Sequence, residues 1–167
     1  GKNSGYGDMA QVMFQTIITS KKKSEILKNF KKNIVKFFGP GSNYWKNLNE
    51  RKKYKKIKWK FALRGEWLHQ NTLETIQNIK AKKQVTGGTK VNETDGFLSA
   101  ISYYFLVSKN EKEIKKVIRT VANSRINEVY GLARLKIIDL ASQGEKNPVL
   151  TFTKLNKKNK YFKEVVK

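Results

Sequence analysis

The densest run of chemically useful side chains lies at residues 51–60, where seven of the ten positions are Lys or Arg. Tyr54 and Trp59 are interleaved with these cations. Lysines can neutralise phosphates while aromatic rings stack on bases, so the pattern favours contact with nucleic acid. Packing of both rings in a hydrophobic core is an equally good interpretation of the aromatic positions. The residues of this segment predicted to bind nucleic acid are Arg51, Lys52, Lys53, Tyr54, Lys55, Lys56, Lys58, Trp59, Lys60 and Arg64.

A second basic cluster, Lys21, Lys22 and Lys23, stands where a helix is predicted to begin. Cations are disfavoured at a helix N-terminus, because the backbone already carries partial positive charge there. A bound phosphate would relieve this conflict, so the cluster favours phosphate binding over a merely solvated turn. The same helix carries three further lysines that we predict to contact nucleic acid: Lys28, Lys31 and Lys32.

The charge of the whole chain supports this interpretation. Its 167 residues include 36 Lys and Arg against 13 Asp and Glu, which gives a formal net charge of +23. Residues 1–90 carry +16 of this charge and residues 91–167 carry +7. Lys outnumbers Arg by 31 to 5, which suits phosphate contact better than base reading. An AT-rich genome would explain the choice of Lys over Arg, but it would not explain the shortage of acids.

Catalytic and metal-binding patterns are weak by comparison. His69 is the only histidine and there is no cysteine, so thiolate metal sites and disulfides are excluded. Asp95 followed by Glu113 and Lys115 faintly resembles a nuclease pattern, but the second part lies on an amphipathic helix, where surface charges are common. The Gly-Gly-Thr-Lys string at 87–90 lacks the spacing of a phosphate-binding loop. We therefore predict no enzymatic activity, no metal and no cofactor.

Apolar segments are short. The longest uninterrupted apolar run, residues 103–107, cannot span a bilayer, and no basic start is followed by an apolar signal segment. Peripheral membrane binding would require apolar side chains opposite the lysines, and those side chains are better used in a core. The prediction is therefore a protein without a transmembrane segment that is cytoplasmic or nucleoid-associated, with a virion as a further location.

The hydrophobic spacing predicts a mainly α fold, a helical bundle with a basic N-terminal half. Val-Thr-Gly-Gly-Thr-Lys-Val at 85–91 predicts either a short β-hairpin or a flexible loop. A short strand is predicted at 149–153, followed by a basic tail from Lys154 to Lys167. The expected organisation is a basic nucleic-acid-facing region at 1–90, a core helical bundle at 91–148, and a strand with the tail at 149–167, all in one compact unit.

These features predict a non-enzymatic structural protein that binds nucleic acid without reading its sequence. The favoured form coats or packages double-stranded DNA, as a nucleoid or viral nucleocapsid protein does, and associates with itself or with related subunits. The alternative is an RNA-binding subunit of a ribonucleoprotein complex, either ribosomal or a small subunit of an RNA-guided effector. No small-molecule substrate is expected.

Overall fold

A computed structural model describes residues 5–46, 68–91 and 94–166. Its helices are α1 (Gly5–Thr19), α2 (Ile26–Phe38), α3 (Gln70–Lys80), α4 (Asp95–Leu106), α5 (Glu111–Val121), α6 (Arg125–Ser142) and α7 (Pro148–Asn156). Short 3-10 turns occupy Lys23–Glu25 and Lys160–Phe162, and residues 43–46 are also helical. The predicted mainly helical bundle is confirmed. No helix within the described ranges is long and apolar enough to cross a membrane.

Helix α4 lies at the centre of the packing, with α1, α5 and α6 against it. Its buried positions include Ala100, Tyr103 and Tyr104. Gly96 faces α5 so closely that a Cβ atom there would lie 2.8 Å from the Cβ of Ala122. A small residue at this position therefore lets the two helices approach, which brings the buried Ile114, Val117, Ile118 and Val121 of α5 into the core.

Helix α2 forms because its apolar residues recur every four positions. Ile26, Phe30, Ile34 and Phe38 are buried against α1 and α3, while the lysines between them face outward. The helix ends at Phe38, and Gly41 soon after adopts a left-handed φ of 93°, a conformation that glycine tolerates best. The Gly-Pro-Gly string at 39–41 therefore follows directly on the end of the helix.

The strand predicted at 149–153 is wrong, because these residues lie in α7. Pro148 occupies the first turn of this helix, where its missing N–H costs nothing. The Thr153 hydroxyl donates to the carbonyl of Val149 at 2.9 Å, an interaction one helical turn long. The β-branched Val149, Thr151 and Thr153 resemble a strand in sequence, but burial of Phe152 against the body of the protein selects the helix.

The basic tail after α7 folds back onto the bundle. Phe162 is only 1 % exposed, and its ring lies edge-on to Phe152 with 5.2 Å between centroids. The Tyr161 hydroxyl donates to a Glu128 oxygen of α6 at 2.6 Å. Residues 161–162 of the basic tail are therefore packed against the bundle.

The segment at 85–91 is neither a hairpin nor an unattached loop. In the described residues the only β-type pairing is an isolated parallel bridge between Gly88 and Ala122. The Gly88 N–H donates to the Val121 carbonyl at 2.9 Å, and the Asn123 N–H donates to the Gly88 carbonyl at 2.7 Å. A Cβ at Gly88 would lie 2.6 Å from the Cα of Asn71, so glycine is required where this segment passes between α3 and α5.

Candidate nucleic-acid interface

A basic groove lies between α2, the segment after α3, and α5. Its volume is ≈ 1040 Å³. Leu27, Ile79 and Val85 supply apolar surface, and the described residues that line it include no acid. Its cations are Lys28, Lys31, Lys32, Lys82, Lys116 and Arg119. Three separate elements therefore bring positive charge to one concave surface.

Helical spacing explains why these side chains share a surface. Lys28 and Lys32 are four residues apart on α2, and Lys116 and Arg119 are three apart on α5, so each pair lies on one face of its helix. Lys82 follows α3 in a left-handed conformation with φ of 53°, and its N–H donates to the Ile79 carbonyl at 3.0 Å. This turn carries the chain from α3 to the wall of the groove.

Most of the groove cations have no acid partner in the described part of the chain. Lys28, Lys31, Lys32, Lys82 and Lys116 take part in none of its ion pairs, whereas Arg119 is paired with Glu128. Like charges crowded on a concave surface raise the local positive potential, which attracts a polyanion.

Arg119 is held at the edge of the groove by a buried carboxylate. Glu128 is only 5 % exposed and accepts from the Arg119 Nε as well as from the Tyr161 hydroxyl. The Lys115 ammonium lies 3.8 Å from the centroid of the Tyr161 ring, a cation–π contact. Burial, together with the Glu128 carboxylate, raises the pKa of Tyr161 above its ordinary value. The hydroxyl therefore stays protonated and donates to Glu128.

Side-chain hydrogen bonds fix the groove wall at 84–86. The Thr86 hydroxyl donates to the Thr120 carbonyl at 3.0 Å, and the Asn78 amide donates to the Thr86 carbonyl at 3.1 Å. Thr86 is buried, while Gln84 and Val85 beside it remain exposed to the groove. This wall is therefore anchored to both α3 and α5.

Further along the same segment, the Glu74 carboxylate of α3 binds Thr89. One Glu74 oxygen accepts from the Thr89 N–H at 2.8 Å, and the other accepts from Gln70 at 3.0 Å. The hydrogen bond from Gln70, together with those from Thr89, lowers the pKa of Glu74. Asn71 and Glu74 have the spacing of a capping box, but α3 begins at Gln70 and Asn71 is already inside it.

Asn71 instead binds the backbone of Lys90. Its amide nitrogen donates to the Lys90 carbonyl at 3.0 Å, and its carbonyl oxygen accepts from the Lys90 N–H at 2.9 Å. This two-bond contact resembles a short stretch of β pairing, and it fixes the end of the segment against α3.

His69 and Asp95 form a buried polar pair. His69 Nδ1 lies 2.9 Å from one Asp95 oxygen, and the Thr72 hydroxyl donates to the other oxygen at 2.9 Å. The N-cap of α4 is Thr94, and the buried Asp95 side chain joins α4 to α3. Among the described residues, no group of three acidic or histidine side chains is arranged to hold a metal ion.

The structure brings together only part of the predicted binding set. Lys28, Lys31 and Lys32 lie in the basic groove. Lys23 does not, because its ammonium pairs with Glu113 at 2.9 Å, and Lys21 and Lys22 are exposed in the turn before it. The set from Arg51 to Arg64 lies outside the described residues.

Sequence reasoning missed Lys82, Lys116 and Arg119. The three-residue spacing of Lys116 and Arg119 on a predicted helix was visible in the sequence. Their position opposite α2, however, depends on how α2 and α5 pack, which no local pattern specifies.

A second cleft lies between α1, the C-terminal half of α2 and the residues after Gly41. Its volume is ≈ 750 Å³. We call it the amide cleft, because its lining contains Gln11, Gln15, Asn33 and Asn43 together with Asp8, Lys36, Phe37 and Tyr44. The Tyr44 hydroxyl donates to the Asp8 carboxylate, which joins the floor of the cleft to α1.

Comparison with known proteins adds no relative to this description: no protein-family model matches the chain, and no curated protein or solved structure is significantly similar to it.

Proposed function

We propose that this protein is a non-enzymatic, sequence-independent nucleic-acid-binding protein that holds the phosphate backbone in its basic groove. The observation that carries this proposal is the convergence of six cations from three elements on one concave surface, with no acid among the described lining residues. Five of the six also lack an ion-pair partner in the described part of the chain.

The chemistry of the groove suits phosphates better than base edges. Five of its six cations are lysines, which act as flexible point charges. Arg119, whose planar fork reads guanine well, is already engaged by Glu128. A polyanion that entered the groove would relieve the repulsion among the lysines, and this gain would not depend on base sequence.

Duplex DNA, coated at a defined stoichiometry, remains the favoured substrate within this proposal. The support is the net charge of +23, which about 12 base pairs of duplex would neutralise at about two charges per pair. Titration of long duplex DNA is then expected to saturate at about one protein per 10–20 base pairs. Saturation at one protein per hundreds of base pairs would exclude a coat and favour a subunit of a ribonucleoprotein complex.

The groove itself is tested by a quadruple variant, Lys28→Gln with Lys31→Gln, Lys32→Gln and Lys116→Gln. We expect the plot of log affinity against log salt to become shallower by up to about 3.6, since each lost phosphate contact removes about 0.9 on duplex DNA. Fluorescence anisotropy with a labelled duplex measures the slope, and circular dichroism checks that the helical fold persists.

An unchanged slope in a folded quadruple variant would contradict the proposal. A parallel variant carries Lys52→Gln, Lys53→Gln, Lys55→Gln and Lys56→Gln, the same charge removed from the basic run at 51–60. If only this second variant shows a shallower dependence of log affinity on log salt, the phosphates are held by the run at 51–60 and not by the groove.

A further inference from the structure

The amide cleft differs in chemistry from the basic groove. Four carboxamide side chains line it, and the rings of Phe37 and Tyr44, the Lys36 ammonium and the Asp8 carboxylate lie beside them. The side chains of Gln15 and Asn43 are exposed and make no hydrogen bond to the described part of the chain. The Asn33 amide nitrogen donates to the Thr16 hydroxyl at 2.9 Å, which leaves its carbonyl oxygen as an acceptor. The cleft therefore offers amide donors and acceptors, and its one cation is balanced by one carboxylate.

Phe37 supplies an aromatic surface at the same place. Its side chain lines the cleft and 41 % of the residue remains exposed. It packs edge-on against the buried Phe38, with centroids 4.9 Å apart, and lies 6.2 Å from the ring of Tyr44. A ring that is anchored on one side and exposed on another is suited to stack on a planar ligand.

A row of lysines leads from the groove to the cleft. Lys28 and Lys32 line the groove, and Lys36 lines the cleft. The three residues are four positions apart on α2, so they follow one side of the helix at intervals of about 6 Å. A phosphate backbone that lies along this row would leave the groove beside Lys32 and reach the cleft beside Lys36.

We propose that the amide cleft binds one unpaired nucleobase of a strand whose phosphates follow Lys28, Lys32 and Lys36. Carboxamides can pair with base edges through a donor and an acceptor together, and the Phe37 ring can stack on the base. A volume of ≈ 750 Å³ lies within the range of pockets that hold small organic ligands. A base inside a duplex cannot enter such a cleft unless it leaves its stack, so the site selects single-stranded or unpaired nucleotides.

This inference rests on the proposed function, because the groove lysines must hold the backbone. The test compares a single-stranded DNA of about ten nucleotides, a length typical of single-strand sites, with an abasic strand of the same phosphate count. We expect the strand with bases to bind the wild-type protein about tenfold more tightly, because only that strand can stack on Phe37.

Two variants locate the effect. Phe37→Leu keeps an apolar side chain but removes the ring, and Gln15→Ala with Asn43→Ala removes two exposed amides. Each is expected to reduce the advantage of the strand with bases while leaving affinity for the abasic strand unchanged. Phe105→Leu and Gln77→Ala are the matched controls, because Phe105 is 38 % exposed and edge-on to Tyr104, and Gln77 is an exposed amide of α3.

The outcomes separate the two proposals. Equal affinity for both strands in the wild-type protein, or an advantage that survives both cleft variants, would overturn the base site while leaving backbone binding intact. Failure of both the abasic strand and duplex DNA to bind with a steep salt dependence would instead remove the proposed function itself.

Discussion

Two surfaces of this molecule use the same residue type in opposite ways. On the ion-paired surface, Lys23, Lys109 and Lys136 lie 2.9, 2.7 and 2.8 Å from carboxylate oxygens of Glu113, Asp139 and Glu111, and Lys115 is 3.9 Å from Glu111. In the basic groove, the five lysines have no such partner among the described residues. The net charge is therefore not spread evenly, because the few acids of the C-terminal half are used to join elements.

The paired lysines join parts of the chain that are distant in sequence. Lys23 ties the turn before α2 to α5, and the hydrogen bond from Lys23, together with that from Ser108, lowers the pKa of Glu113. Lys109 ties the end of α4 to α6, and its hydrogen bond is the main reason that the pKa of Asp139 is lowered. The positions of the acids therefore decide which cations remain available to bind a partner.

The largest effect is expected when the lysines of each surface are removed separately. A variant with Lys23→Gln, Lys109→Gln, Lys115→Gln and Lys136→Gln removes the same charge as the groove quadruple variant. At about 0.15 M salt we expect the groove variant to bind duplex DNA about 100-fold more weakly than the ion-paired variant, because screening confines each charge to about 8 Å. Anisotropy titrations of both variants measure this ratio. Equal losses would show that net charge alone governs binding.

Arg119 lines the basic groove but is also ion-paired, so its partner Glu128 provides the next test. Glu128→Gln removes the buried charge that holds Arg119, and we expect the free energy of unfolding to fall by about 1–3 kcal/mol. The freed guanidinium adds a cation to the groove, so affinity for nucleic acid is expected to rise about fivefold, about 1 kcal/mol. Urea unfolding and anisotropy measure the two changes.

The opposite signs of these changes make the Glu128 test specific. Glu111→Gln is the control, because Glu111 is an acid of the ion-paired surface with no contact to a groove cation. That variant is expected to change both quantities little. A fall in affinity that parallels the loss of stability in Glu128→Gln would show that Arg119 contributes only to folding.

The smallest effect is expected at Glu74, whose carboxylate accepts hydrogen bonds from the uncharged residues Gln70 and Thr89. Its lowered pKa means that its contribution to stability is fully present above about pH 4.3 and is lost as the pH falls through the lowered value. Glu74→Gln is therefore expected to cost about 1 kcal/mol at neutral pH and progressively less in acid. Thermal unfolding between neutral and acidic pH tests this, with Glu164→Gln as an exposed control. A cost that is independent of pH would show that the carboxylate charge is not involved.

Local sequence patterns predicted the helices far better than the contacts between them. The four-residue spacing of Ile26, Phe30, Ile34 and Phe38 defines α2 and also places its lysines on the outer face. Three of the six groove cations were therefore predicted from the sequence. The Asn-Ser pair at 123–124 indicates a helix start, and the structure places the N-cap of α6 at Ser124, whose hydroxyl accepts from the Asn127 N–H at 3.1 Å. Such features are local, because they depend only on neighbours within a turn.

What the sequence could not predict depends on distant partners. Ser108 and Glu111 have the spacing of a capping box, whereas the Asn110 side chain is the one that accepts from the Lys112 and Glu113 N–H groups of α5. Lys23 stays a predicted phosphate ligand, and its ion pair with Glu113, 90 positions away, follows from no local pattern. Two adjacent glycines favour a turn in sequence, and only the packing of α3 beside α5 shows that they are needed for close approach.

That close approach has a consequence for the order of folding. Gly88 touches Asn71 on one side and bonds Val121 and Asn123 on the other, so its place exists only after α3 and α5 have come together. Contacts between residues so far apart in sequence form only when the entropy cost of closing the intervening loop has been met. The groove wall at 84–86 depends on the same docking, since Thr86 bonds Thr120. A chain in which α3 and α5 have not docked therefore carries the same lysines without the shaped groove.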